Sequence, residues 1–117
     1  MLKELIQAAQ TATGLTVHAF AAQAVSPDCI VYNLIPQADN GRIVQSRLEI
    51  RIITHTLLAA MDYADKLNAA LIACGDDPKL AGLLSIEQNG GGRMFEGGTE
   101  TVHTLLYYSI KERSKSL

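Results

Sequence analysis

Residues 42–54 read RIVQSRLEIRIIT and form the most regular pattern in the chain, because apolar and polar side chains alternate along them. Successive side chains of a strand point to opposite faces of a sheet, so this period of two predicts a strand with one buried and one wet face. The predicted buried side chains are Val44, Leu48, Ile50 and Ile52, and the predicted wet ones are Gln45, Arg47, Glu49 and Arg51.

A hairpin is predicted just before this strand. Asp39, Asn40 and Gly41 are residue types that favour the tight turn between two antiparallel strands. Residues 29–35 form a compact apolar run that Pro36 interrupts, which predicts a largely buried strand ending there. The hairpin partner of residues 42–54 is therefore expected in 29–35.

Two amphipathic helices are predicted, over residues 2–12 and from Thr56 to about Gly75. Gly14 stands where a C-capping glycine belongs, and Thr56 is a good N-cap residue. Asn68 falls at the edge of the second apolar stripe. The apolar positions are Leu2, Leu5, Ile6 and Ala9 in the first helix and Leu57, Met61, Ala64, Leu67 and Leu71 in the second.

Three further strands are predicted: residues 15–20, a short one over 83–88, and a last one over 101–111. The glycine-rich segment 89–98 between the last two is interpreted as a long, mobile hairpin arm with Met94 and Phe95 at its centre. Residues 112–117 form a polar tail. In the last strand, Val102, Leu106, Tyr108 and Ile110 are expected to face the core, which leaves Leu105 and Tyr107 on the outer face.

This order of elements predicts an α+β fold, with a mostly antiparallel (mixed) sheet of four or five strands packed against two α-helices. At 117 residues the chain has the length of one domain, spanning residues 1–117.

The composition disfavours several classes of partner and location. Ten basic and twelve acidic residues give a formal net charge of -2, which disfavours nucleic acid or an anionic membrane as a partner. Lys3 and Glu4 interrupt the first apolar segment, so it lacks the apolar core of a signal peptide, and we expect a cytoplasmic protein. Cys29 and Cys74 have no metal-binding spacing around them and are expected to be buried thiols.

No catalytic, cofactor-binding or metal-binding residue is predicted. His18, His55 and His103 lack a nucleophile, cysteine or carboxylate at the spacings of known motifs, although such groups can also converge in space. The glycines of residues 89–93 lack the Gly-Lys-Ser/Thr ending of a phosphate-binding loop. We therefore expect a protein that is not an enzyme.

The candidate functional residues are contacts with a partner or a second subunit. An arginine stripe with Glu49 inside it is either a solvated face or an interfacial ion-pair network. The apolar pair on the glycine-rich arm either docks a partner or folds back onto its own domain. The candidates are Arg42, Arg47, Arg51, Arg93, Met94, Phe95, Leu105 and Tyr107.

The order of elements resembles the tail terminator proteins of long-tailed bacteriophages and prophages, also called minor tail or tail-completion proteins. The resemblance covers roughly residues 2–111 and contains no diagnostic motif, so no family residue is transferred. It is carried by the leading helix, the run CIVYNL at 29–34, the strand at 42–54, the helix with Leu57, Met61, Ala64 and Leu67, and the closing strand after the glycine-rich arm.

This resemblance implies a virion assembly protein without an active site. Members of the family form a ring, usually a hexamer, that caps the tail tube, stops its polymerisation and presents a surface to the head. The implied partners are other copies of the chain, the tail-tube protein and a head-completion or connector protein, and the implied location is the virion tail.

Two readings from other classes remain open. One is a small ligand-binding or enzymatic domain, with a pocket between helix and sheet that holds His55 or His103 near Glu49 or Glu100. The other is a nucleic-acid-binding module that uses Arg42, Arg47 and Arg51 beside Tyr32, against which the acidic balance argues.

Overall fold

Two α-helices and five β-strands make up the part of the chain that the computed structural model describes, residues 2–19 and 28–113. The predicted α+β fold is confirmed. In chain order the elements are α1 (Leu2–Thr13), β1 (Thr16–Ala19), β2 (Cys29–Asp39), β3 (Ile43–Thr54), α2 (Leu57–Cys74), a 3-10 turn (Pro78–Leu80), β4 (Leu83–Glu96) and β5 (Thr101–Arg113).

The five strands form one mixed sheet in the order β1-β2-β3-β5-β4. β1 pairs in parallel with β2, and the other three neighbouring pairs are antiparallel. β5 lies between β3 and β4, so the last strand fills a gap between two strands that precede it. β1 and β4 are therefore the two edges of the sheet.

The turn between β2 and β3 has the predicted chemistry. The Asp39 side chain accepts a hydrogen bond from the Gly41 N–H at 2.9 Å. The Asn40 side chain accepts from the N–H groups of Arg42 and Ile43 at 2.9 and 2.8 Å. Gly41 has a φ of 87°, a left-handed conformation that suits glycine.

Both helices lie on the same face of the sheet. Leu5 and Ala9 of α1 join the same buried cluster as Leu67 and Leu71 of α2. The strands contribute the side chains that point to this side, among them Ile30, Leu48, Ile50, Ile52, Leu106, Tyr108 and Ile110. We call this the helix-side face, and its alternation along β3 is the one predicted from the sequence.

A hydrogen bond ties α2 to the centre of the sheet. The Tyr108 hydroxyl donates to the side-chain oxygen of Asn68 at 2.8 Å, and Tyr108 is fully buried. Burial raises the pKa of this phenol far above its usual value, so the hydroxyl stays a donor. Asn68, at the edge of the apolar stripe of α2, thus satisfies the one polar atom of a buried tyrosine.

The prediction that Leu57 and Met61 of α2 face the core is wrong. Their side chains are 54% and 47% exposed, and Leu58 beside them is 80% exposed. The helix begins as the chain leaves the end of β3, and its first turn overhangs the core. The buried stripe is rotated toward smaller residues and consists of Ala60, Ala64, Leu67, Leu71 and Cys74.

The predicted end of β2 at Pro36 is also wrong. β2 continues to Asp39, with an irregularity in its pairing to β3 between Pro36 and Ala38. Proline has no N–H to donate, and a bulge on a strand is one of the few places where a sheet tolerates it.

The glycine-rich segment is not a loose arm. β4 runs through it from Leu83 to Glu96 and pairs with β5 as far as Thr101, so only a short turn joins the strands. A bulge between Gln88 and Gly91 accommodates one extra residue in β4, with φ values of 101° at Gly90 and 144° at Gly91. Glycines that suggested flexibility instead provide conformations that other residues rarely adopt.

The remaining boundaries differ by a few residues. β1 covers Thr16–Ala19 of the strand predicted at 15–20, while Phe20 and the alanines up to residue 24 lie outside the described residues. β5 extends two residues beyond the predicted strand, to Arg113, and residues 114–117 of the predicted tail lie outside the described part. Cys29 and Cys74 are free and buried, as predicted.

Gly91→Ala is expected to lower the free energy of unfolding by about 1–3 kcal/mol or more, because a Cβ there would collide with the Leu105 carbonyl oxygen and force an alanine into an unfavourable φ. Gly92→Ala is the matched control, since it has an ordinary φ and open space around its Cβ. Urea unfolding followed by circular dichroism measures both, and equal stability of the two variants would contradict this account of the bulge.

Candidate functional site

The sheet face opposite the helices carries most of the candidate residues. Side chains that alternate with the buried set point to it, and no described helix covers it. We call it the uncovered face. Its central members are Cys29, Val31, Asn33, Arg47, Glu49, Arg51, Ile53, His103, Leu105 and Tyr107.

Arg47, Glu49 and Tyr107 form a small cluster on this face. The Arg47 guanidinium lies over the Tyr107 ring, with 4.2 Å between its carbon and the ring centroid. It also forms an ion pair with Glu49, with 3.2 Å between the nearest nitrogen and oxygen. Glu49 pairs directly with Tyr107 across β3 and β5, so the register of the sheet brings the three together.

This cluster explains the outward position of Tyr107. The Tyr107 side chain is half-buried because the Arg47 guanidinium stacks on its aromatic ring, and Glu49 holds Arg47 in place. Because the ion pair is partly exposed, solvent screens it and its contribution to stability is small. The cluster therefore fixes the positions of surface side chains and adds little to the stability of the fold.

A shallow depression of about 350 Å³ lies in the uncovered face. Polar groups from three strands meet there, including Asn33, Glu49 and Arg51, together with His103 and Tyr107. The alternative reading placed such a pocket between helix and sheet, and in the described part of the chain it is on the other face. It does bring His103 and Glu49 into one site, while Glu100 lies in the turn before β5.

His103 is held by neighbouring residues in the depression. Its Nε2 is 3.0 Å from the Thr101 hydroxyl, which in turn is 2.7 Å from the Thr99 hydroxyl. Burial lowers the pKa of His103 below 6.5, Arg51 lowers it further, and Glu96 partly opposes this. The imidazole is therefore mainly neutral at neutral pH.

A second histidine has a partner that the sequence did not suggest. His55 Nδ1 lies 2.6 Å from a carboxylate oxygen of Asp28, which also accepts a hydrogen bond from the His55 backbone N–H at 3.1 Å. The pair joins the start of β2 to the end of β3 at an exposed corner. It fixes the chain as it leaves the sheet toward α2.

The other predicted contact residues are dispersed. Arg42 lies in the turn between β2 and β3, and Arg93 points to the helix-side face, where its Nε donates to the Thr104 hydroxyl at 3.1 Å. Met94 and Phe95 are 51% and 68% exposed at the edge of the sheet, on opposite faces of β4. Neither side chain of this apolar pair folds back onto the described part of its own domain.

The basic and aromatic patch of the nucleic-acid reading does not assemble. Tyr32 pairs with Ile50 and its side chain lies on the helix-side face, whereas Arg47 and Arg51 point to the uncovered face. Arg42 is in the turn at the end of the hairpin. The aromatic partner of Arg47 is Tyr107.

The described residues contain neither a metal-binding cluster nor a membrane-spanning helix. No group of three or more His, Cys, Asp or Glu side chains within residues 2–19 and 28–113 is arranged to hold a metal ion. Neither α1 nor α2, within these ranges, combines the length and the apolar character needed to cross a bilayer.

Arg51→Gln is expected to raise the pKa of His103 toward, but not to, 6.5, because it removes the nearby positive charge and leaves the larger effect of burial. Nuclear magnetic resonance titration of the imidazole measures this. His103 binds its proton more weakly in the folded protein than in the unfolded chain. The free energy of unfolding therefore falls as the pH is lowered through 6.5 toward the lower pKa of the folded state, and it falls less in the Arg51→Gln variant. Arg47→Gln is the control, and a similar shift in both variants would contradict the assignment.

Comparisons with known proteins show the fold. No family model matches the chain, and no curated protein matches it. Among solved structures, the chain is similar to one from the virion of a native gene transfer agent particle. The two are 11% identical, the match covers 97% of this chain and 92% of that one, and the TM-score is 0.66. The chain therefore shares the α+β architecture of that virion chain over almost its whole described length.

Proposed function

We propose that this protein is a structural subunit of a phage or phage-like particle, which forms a ring on the end of the tail tube, ends its polymerisation and joins it to the head. The observation that carries the proposal is the match to a gene transfer agent virion chain across 97% of this chain. The order of elements seen in the sequence supports the narrower assignment to a tail terminator.

The distribution of exposed residues supports a protein that functions by binding other proteins. The helices cover one face of the sheet, and the other carries the ordered Arg47, Glu49 and Tyr107 cluster beside half-buried Leu105. Large apolar side chains are also exposed at the start of α2 and on β4. Rigid elements that present aromatic, arginine and apolar groups are well suited to protein contacts.

In this proposal the uncovered face meets the tail-tube protein or the head connector. A stacked arginine on a rigid sheet loses little conformational entropy on binding, because neighbouring residues already hold it in place. Arg51, two residues beyond Glu49 on the same face, is exposed and adds a positive charge to the contact. No catalytic step is assigned to any residue.

The depression around His103 favours a second candidate function, the binding of a small ligand on the uncovered face. Its lining combines an imidazole, a carboxylate, a guanidinium and a phenol within one concave site. A tail-tube or connector protein bound to this face would occlude the depression, so the binding of that protein and the binding of a small ligand would exclude each other.

The first experiment is the solution mass of the purified protein over a wide concentration range, alone and with the cognate tail-tube protein. We expect a ring-sized species, formed alone or only with the tube, and tubes of limited length by electron microscopy. A mass of one chain under every condition, with tubes that grow unchecked, would overturn the proposal and favour the ligand-binding function.

Arg51→Glu is expected to weaken capping of the tube on the order of tenfold, or about 1.4 kcal/mol, because it reverses a charge on the proposed contact face. Lys66→Glu is the control, since Lys66 lies on the solvent side of α2 in an exposed ion pair with Asp62. Tube length as a function of added protein gives the capping efficiency, and equal capping by the two variants would exclude the uncovered face as the contact.

A further inference from the structure

The outer edge of β4 is exposed. All ten residues from 87 to 96 are exposed, and among the described strands β4 has only β5 as a neighbour. Edge strands that must not pair usually carry proline, outward lysine or a bulge; β4 contains neither proline nor lysine, and its bulge between Gln88 and Gly91 lies at one end of the segment 91–96. Its unpaired N–H and C=O groups are therefore available to another strand.

The strand at the other edge of the sheet, β1, lies at the same height along the strand direction as part of β4. Residues that pair from strand to strand form rows across the sheet, and these rows connect β1 to β4. The row through Cys29 runs from Thr16 to Met94, and the row through Val31 runs from His18 to Gly92. β1 therefore stands opposite residues 91–94 of β4, four strands away.

The strand directions are also compatible. β1 is parallel to β2, and three successive antiparallel pairings make β4 run opposite to β2. A second copy, rotated about an axis along the strands, would bring its β1 beside β4 in antiparallel orientation. The uncovered faces of the two copies would then be continuous and would point toward the ring axis or away from it, so that the tube or the connector reaches them by entering or surrounding the ring.

We propose that β4 of each copy pairs with β1 of the next copy, so that the sheet continues from subunit to subunit around the ring; this inference rests on the proposed function. A closed ring contains rotations and no translation along its axis. Copies with strands along that axis therefore stand at one height, which places Thr16 of one copy opposite Met94 of the next and His18 opposite Gly92.

The side chains at the junction fit this arrangement. Gly91 and Gly92 have no side chain to obstruct a neighbouring backbone. Continuing the register by one residue brings Leu15, which packs against its own core, opposite Phe95 on the helix-side face. The neighbouring copy would thus bury the apolar side chain that is most exposed on β4.

Pairing between the two different edge strands, β4 and β1, would allow the ring to close. A copy that used β4 against β4 would form a two-fold dimer and leave both β1 edges open. Pairing of β4 with β1 uses one of each per subunit and leaves no open edge once the ring is complete. Each subunit then has the same two neighbours.

The test is a disulfide between copies in the double variant Thr16→Cys, Met94→Cys. Both positions lie on the uncovered face, and directly opposite residues in antiparallel strands are within the Cα distance that a disulfide spans. Within one chain they are four strands apart, about 19 Å, but the free thiol of Cys29 lies directly opposite position 16 on β2. Both cysteine pairs are therefore made in a Cys29→Ser background, so that a link forms only between copies. Mild oxidation of the assembled ring is expected to give a ladder that ends at the full ring size on a non-reducing gel.

Thr16→Cys, Phe95→Cys is the matched control, because its two thiols lie on opposite faces of the junction. Cross-linking at least on the order of tenfold slower is expected. Both variants, when reduced, should match the unmodified protein in melting temperature and assembled mass, which separates a wrong register from a folding defect.

The outcomes distinguish the two proposals. A ring of the expected mass whose Thr16→Cys, Met94→Cys variant links no faster than the control would overturn the β4–β1 junction and leave the ring intact. Protection of β4 amides from hydrogen exchange in such an unlinked ring would assign the edge to another partner. Absence of any ring, with or without tube, would overturn the proposed function itself.

Discussion

Burial of one face of the sheet is the constraint on which the rest of the structure depends. Both helices stand on the side of Ile30, Leu48, Ile52 and Tyr108, and the hydrophobic core lies between them and the sheet. The two described helices build one such layer over the sheet. No described helix covers the other face, and side-chain contacts there form the cluster of Arg47, Glu49 and Tyr107. The candidate site is therefore a consequence of how the core is built.

The same constraint determines where apolar side chains are exposed. α2 buries its small and medium residues against the strands, while Leu57, Leu58 and Met61 in its first turn extend beyond them. β4 is buried at Leu83 and Ile86, where α2 covers it, and exposed from residue 87 onward. Exposure begins where the helix layer ends. Large apolar residues at such boundaries are common where another protein completes the cover.

Much of the fold could be predicted because local patterns report it. Alternation along β3, the turn at Asp39 to Gly41 and the Thr56 cap each depend on neighbouring residues alone. The turn determines the register of β2 and β3 only as far as the irregularity between Pro36 and Ala38, which shifts the pairing by one residue before the strands reach Asp28 and His55. The neighbours of β5 could not be predicted, because no local feature states that a strand will lie between two earlier ones. The stacking of Arg47 on Tyr107 depends on that order.

The insertion of β5 between β3 and β4 also has a consequence for how the chain folds. The β2–β3 and β4–β5 hairpins close locally, but the central pairing joins β3 to a strand that α2 and β4 separate from it in sequence. Closing that long loop costs entropy before any contact is gained, so we expect it to limit the folding rate. During synthesis, β3 emerges well before its second neighbour exists. Its backbone groups on that side must remain hydrated, or shielded by a chaperone, until the strand that completes the centre of the sheet has been made.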